Sequence, residues 1–218
     1  MVLDYASARR NMVDGQLRTN RVNDPRIIAA FETLPRERFV PEDTRGFAYI
    51  DEDLEVAPGR WLMEPMVLAR LLQGAEIGDE ESVLIVAAGT GYAAAAAASL
   101  ARKVVALEED PALAEQARRV LQELAIENVT VVTAALEEGY SAEAPYDVII
   151  IDGAVEEVPD AYGEQLVEGG RLLAVVRPPA GVGRGRLYRK NGTLSSRVLF
   201  DAATPVLESL RKARSFVF

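Results

Sequence analysis

Neither cysteine nor histidine occurs in the 218 residues. Without cysteine there is no disulfide, no thiolate nucleophile and no sulfur ligand for a metal. Without histidine, the commonest general base and the commonest metal ligand are also gone. Both absences count strongly against triad hydrolases, zinc enzymes and dehydrogenases with a histidine acid. No apolar run approaches the roughly 18 residues that a membrane helix requires. The start, Met1 to Ser7, has no cationic region leading into an apolar stretch, so no secretory signal and a cytoplasmic location are expected. Positive charge is scarce as well. Lys and Arg number 24 against 34 Asp and Glu, a net charge of −10 that argues against a phosphate-tracking surface. The spacing of Asp51, Glu52, Asp53 and Glu55 fits no EF-hand loop, so a solvated loop is expected and no metal. The cations present are concentrated: Arg9, Arg10, Arg18, Arg21 and Arg26 fall in the first 26 residues. They read as solvated helix faces or as a docking face for an acidic partner.

An apolar fraction of 49% is enough for a packed core, and the length suits one α/β domain with an extension. The organising stretch is Ser82-Val83-Leu84-Ile85-Val86-Ala87-Ala88-Gly89-Thr90-Gly91-Tyr92, continued by alanines 93–98. It reads as a strand buried on both faces, a small-residue turn, and a helix. Such a turn lets a ligand approach bare backbone. Glu108 follows the next apolar run, 21 positions after Ala87, where folds of this kind hold a ribose.

Strands are expected at 82–86, 103–107, 129–133, 147–151 and 171–176, with helices at 92–101, 111–124 and 159–166. Repeated strand–helix units imply a Rossmann-like, doubly wound, mostly parallel α/β sheet. Residues 1–75 read as an N-terminal helical cap and 76–218 as the core, together one globular unit. In the cap, 5–19 reads as one helix, Asp24-Pro25 starts another, 34–41 is extended or turned, and a loop leads from Asp51 to Pro65. Glu168-Gly169-Gly170 reads as a turn into the fifth strand. Residues 177–185 form a turn-rich loop, and Asn191-Gly192 marks a C-terminal antiparallel hairpin.

The segments 8–17 (Ala-Arg-Arg-Asn-Met-Val-Asp-Gly-Gln-Leu), 34–41 (Leu-Pro-Arg-Glu-Arg-Phe-Val-Pro), Ala48-Tyr49 and 87–92 resemble protein-L-isoaspartate O-methyltransferases. So do 144–147, Gly153-Ala154 and 164–172, collinearly over nearly the whole chain. The resemblance implies S-adenosyl-L-methionine as cofactor and an isoaspartyl-containing protein or peptide as methyl acceptor. It would set Ala87, Gly89, Gly91, Tyr92, Glu108, Ala135, Leu136 and Asp152 about the cofactor. A carboxylate nucleophile is ionised at neutral pH, so this chemistry needs no histidine.

The sequence departs from the family at the site itself. Where the family has a Gly-Gln-Thr-Ile-Ser-Gln-Pro-like segment, this chain has Gly59-Arg60-Trp61-Leu62-Met63-Glu64-Pro65. Met63 thus takes the hydroxyl position, and Arg60 is either a partner for a carboxylate or a surface residue. Trp61 either stacks on a ligand or seals the cap, and Glu64 would repel an anionic substrate unless it points away. The first glycine of the turn is Ala87, the acid two before it is Ile85, and Ala134-Ala135-Leu136 replaces Gly-Asp-Gly. The alternatives are a non-catalytic family member that binds a protein or the cofactor, or a methyltransferase for another carboxylate or small molecule. A nucleoside-binding dehydrogenase would leave the N-terminal match unexplained.

Overall fold

The computed structural model describes residues 4–211. Residues 1–3, at the start that carries no secretory signal pattern, and 212–218, the end of the expected core segment, lie outside them. Helix α1 (Tyr5–Met12) begins at Asp4, whose carboxylate accepts from the Ser7 N–H at 3.0 Å. The helix expected over 5–19 is instead three pieces, with a π turn (Val13–Leu17) and a 3₁₀ turn (Arg18–Asn20) after α1. The wider turn brings both Val13 and Leu17 into the core. Helix α2 (Pro25–Thr33) opens on the expected Asp24-Pro25 cap and buries Ile27, Ile28 and Phe31. Residues 36–38 form a 3₁₀ turn, the turned alternative of the expectation.

The segment expected as a loop between Asp51 and Pro65 contains a small antiparallel hairpin. Its strands are β1 (Leu54–Ala57) and β2 (Arg60–Leu62), turning at Pro58-Gly59 with Gly59 at φ 72°. Helix α3 (Pro65–Ala75) follows and packs on the main sheet.

Among the described residues that sheet has seven strands: β3 (Ser82–Val86), β4 (Lys103–Glu108), β5 (Val129–Thr133), β6 (Tyr146–Val155), β7 (Leu166–Val176), β8 (Arg184–Asn191) and β9 (Thr193–Asp201). Their spatial order is β5-β4-β3-β6-β7-β8-β9, the first five parallel and the last two antiparallel, as expected. Three helices alternate with the parallel strands: α4 (Tyr92–Ala98), α5 (Pro111–Glu123) and α6 (Asp160–Glu164), the first and last shorter than expected. Strands β6 and β7 are both longer than expected; β7 is longer because Glu168-Gly169-Gly170 forms an irregularity inside it rather than a turn before it.

Strand β3 is buried on both faces. Val83 and Ile85 join an apolar cluster with Phe31, Phe39 and Tyr92 from the other elements, while Leu84 and Val86 join a second with Leu136, Tyr162 and Leu207. Because β3 pairs with β4 on one side and β6 on the other, the strand order reverses at its carboxyl end. A crevice opens at such a point in doubly wound sheets. After β9 the chain returns across it: the Ala154 N–H donates to the Pro205 carbonyl (3.1 Å) and the Leu207 N–H to the Ala154 carbonyl (2.8 Å). Among the described residues, no helix is long and apolar enough to cross a membrane.

Candidate active site

The turn after β3 holds three left-handed residues in five: Ala87 (φ 62°), Gly89 (φ 54°) and Gly91 (φ 96°). At Gly91 a Cβ would stand 3.2 Å from the Ala117 Cβ, so glycine there lets α4 and α5 approach. The Ala88 N–H donates to the Leu107 carbonyl at 2.9 Å, which ties the turn to the end of β4. Ala87 carries its methyl in a conformation that costs an L-residue about 1–2 kcal/mol.

Glu108, the last residue of β4, is fully buried at the mouth of this turn. Its Oε2 accepts from the Gly89 N–H (2.7 Å) and its Oε1 from the Asp110 N–H (2.9 Å). Arg60 supplies two further bonds in a bidentate fork, Nη1 to Oε1 at 2.7 Å and Nη2 to Oε2 at 2.5 Å. Arg60 is therefore neither a surface residue nor free for a substrate carboxylate. It reaches in from β2, its side chain 11% exposed, and also lies 3.6 Å from Glu109.

Asp152 stands where β6 and β7 lose register, 5% exposed and with no hydrogen-bond partner for Oδ1. Burial pushes its carboxyl up to about 7; the Arg60 and Arg36 cations oppose that, and the Asp53 and Glu108 carboxylates add to it. Burial likewise raises Glu64 to about 7, helped by Asp51, Asp53 and Glu52.

The other expected site residues are placed differently from one another. Leu136 is buried beside the crevice in the cluster of Ala87 and Leu207, while Ala135 is exposed. The Tyr92 ring points into the core, edge-on to Phe31 (5.8 Å) and Phe39 (5.3 Å). The Met63 side chain is buried among apolar residues. Trp61 is 37% exposed on the outer side of the hairpin, so it does not seal the cap on the core.

Arg36 was not singled out from sequence, although it sits in one of the segments carrying the resemblance. It is fully buried, donates from Nε to the Ala48 carbonyl (2.7 Å) and from Nη2 to the Met63 carbonyl (2.8 Å), and lies 4.8 Å from the centre of the Tyr92 ring. It pins the segment before α3 against the first turn of α4. Thr90 adds a second tie, its hydroxyl donating to the Phe39 carbonyl at 2.7 Å. Other residues of the matching segments form a related network. Arg9 pairs with Glu37 at 3.3 Å, Tyr49 donates to Glu37, and Gln16 donates to the Tyr49 carbonyl at 2.8 Å.

The N-terminal cations are largely engaged within the fold. Arg18 pairs with Asp14 (3.1 Å) and Glu32 (3.3 Å), Arg26 with Asp24 (3.1 Å) and Asp79 (3.2 Å), and Arg10 donates to the Ser7 hydroxyl. Among the described residues, no group of acidic side chains is arranged to hold a metal ion.

A doubly wound sheet extended by antiparallel strands, with a glycine turn and a strand-end carboxylate at the order reversal, defines the class of Rossmann-like methyltransferase folds. The family model described as protein-L-isoaspartate(D-aspartate) O-methyltransferase matches residues 8–200. A protein-L-isoaspartate O-methyltransferase of Koribacter versatilis is 39% identical over 175 residues, covering 80% of this chain and 79% of its own length. One from Methanoculleus marisnigri is 35% identical over 188 residues, covering 86% of each. A solved protein-L-isoaspartate O-methyltransferase superimposes with a TM-score of 0.80 at 26% identity, covering 93% of this chain and 67% of that one. The chain belongs to the protein-L-isoaspartate(D-aspartate) O-methyltransferase family.

Proposed function

We propose that this chain transfers the methyl group of S-adenosyl-L-methionine to the free carboxylate of an isoaspartyl residue in a protein or peptide. The observation that carries the reading is Glu108, held at the tip of β4 and tied to the glycine turn by the Gly89 and Asp110 N–H groups. The crevice residues fit a polar nucleoside. The turn at 87–91 is built of small residues, three of them left-handed, and among the described residues the buried Asp152 Oδ1 is a polar atom still without a partner. Glu108 would take the ribose hydroxyls, with Leu136 and the turn at 87–91 flanking the nucleoside.

When bound, the cofactor supplies a sulfonium methyl. An acceptor carboxylate is already ionised at neutral pH, so its attack on that methyl would need no proton transfer from the protein. The protein's task is then orientation and exclusion of water. Arg36 and Thr90 serve it by fixing the cap on the first turn of α4, so that the walls of the crevice stay in register. With the Met63 side chain turned into the core, no hydroxyl is available from that position. Loss of one aligned donor costs about 2–4 kcal/mol in a transition state, so turnover below that of a hydroxyl-bearing relative is expected.

A second reading, a binding module without turnover, is favoured by the Arg60 pairing that fills Glu108. Labelled S-adenosyl-L-methionine and an isoaspartyl peptide separate the two. Base-labile methyl ester above the level of an aspartyl control supports the transferase, and its absence leaves the binding module. By this reading the protein works in the cytoplasm on damaged protein rather than on nucleic acid.

A further inference from the structure

We propose that Arg60 is a latch on the crevice. Its guanidinium occupies the place on Glu108 assigned above to the ribose diol, so the β1–β2 hairpin has to swing away before a nucleoside can enter. The inference rests on the cofactor reading of the preceding subsection.

The geometry is one of direct competition. A vicinal diol offers a carboxylate two parallel O–H donors, and a guanidinium fork offers it two parallel N–H donors. On Glu108 the other two acceptor positions already belong to the Gly89 and Asp110 N–H groups, and the remaining two belong to Arg60. The carboxylate has about four good acceptor sites, so both ligands cannot be served together.

Beyond the pair, Arg60 borders a hollow of about 250 Å³ together with Pro58, Gly59, Glu109, Leu207 and Ser209, a lining that does not include Glu108 or residues 87–91. The far side is held by the segment returning after β9, where the Ser209 hydroxyl donates to Glu109 at 2.7 Å.

Among the described residues the hairpin forms a two-stranded sheet of its own, with no ladder to the seven-stranded one. Two short strands alone are barely stable, so the hairpin is held down by the Arg60 pair and by the packing of Leu54, Val56 and Leu62 on the core. At its base the Asp53 carboxylate accepts from the Glu64 N–H at 2.8 Å and Arg36 holds the Met63 carbonyl, which leaves 54–61 as the swinging unit. A site open in only a fraction of molecules binds with its affinity reduced by that fraction.

The test titrates S-adenosylhomocysteine into the wild-type chain, Arg60→Ala and Arg60→Gln by calorimetry. Hydrogen exchange of the wild type is followed with and without the same ligand. Removing the latch is expected to tighten binding roughly tenfold or more in Arg60→Ala, and less in Arg60→Gln, which keeps one amide donor. In the wild type, ligand should speed exchange at 54–61 while slowing it at 87–91. If Arg60→Ala fails to fold, the glutamine variant and the wild-type exchange carry the test. Equal or weaker binding by the folded variants, or a hairpin that becomes more protected with ligand, overturns the latch and leaves the cofactor reading standing. No uptake by any of the three proteins at millimolar ligand overturns the cofactor reading and the latch with it.

Discussion

Replacing Asp152 with asparagine should remove a pH dependence that the folded protein carries by design of its core. Asp152 is 5% exposed, and burial lifts its carboxyl from 3.8 to about 7 against the pull of Arg60 and Arg36. Between those two pH values the folded state holds a proton that the unfolded chain has lost. Stability therefore falls as pH rises through that window and levels off above about 7. At about 1.4 kcal/mol per unit, the ceiling for the full shift is roughly 4 kcal/mol, of which about 2–3 lies between pH 5 and pH 8. Glu64, pushed up to about 7, slopes the same way, and so does the self-repulsion of an acidic chain, so the quantity to read is the difference between two proteins. Urea unfolding at pH 5, 6, 7 and 8 is measured for the wild type and Asp152→Asn. The stability of the variant relative to the wild type should grow by about 2–3 kcal/mol from pH 5 to pH 8. Parallel curves would refute the reasoning, because they would mean that Asp152 titrates alike in the folded and unfolded states.

Ala87→Gly should change stability by less than about 1 kcal/mol by denaturant titration. Relief of the left-handed strain, about 1–2 kcal/mol, is offset by the lost methyl burial and the freer unfolded chain. Gly91→Ala should destabilise by about 2 kcal/mol or more, since φ 96° and the Ala117 contact at 3.2 Å act together, and the loss should appear in the thermal midpoint. Arg36→Met should cost about 2–4 kcal/mol, read in urea, because the Ala48 and Met63 carbonyls lose their donors in a site closed to water.

Strand β3, its turn and Glu108 were legible because they are local: an apolar run, small residues and a carboxylate at a set distance. The same logic found the antiparallel end, through Asn191-Gly192. The β1–β2 hairpin was missed because strands of four and three residues, one carrying Glu55 and the other Arg60, show little alternation, although Pro58-Gly59 was a turn signal. The Arg60–Glu108 pair joins residues 48 positions apart and has no local signature. Arg36 was hidden for a related reason: a cation in a Pro-rich segment reads as exposed until the fold shows the two carbonyls it serves. The return of residues 205–207 over Gly153 and Ala154 depends on the length of β6, which its apolar run alone understated. What escaped the sequence was pairing across the fold, and that pairing decides whether the crevice is open.

A crystal structure with S-adenosylhomocysteine bound tests the account most directly. It should show both ribose hydroxyls on the Glu108 carboxylate, the nucleoside along residues 87–91, and the Arg60 guanidinium displaced. A nucleoside seated anywhere else while Arg60 keeps its grip on Glu108 would contradict it.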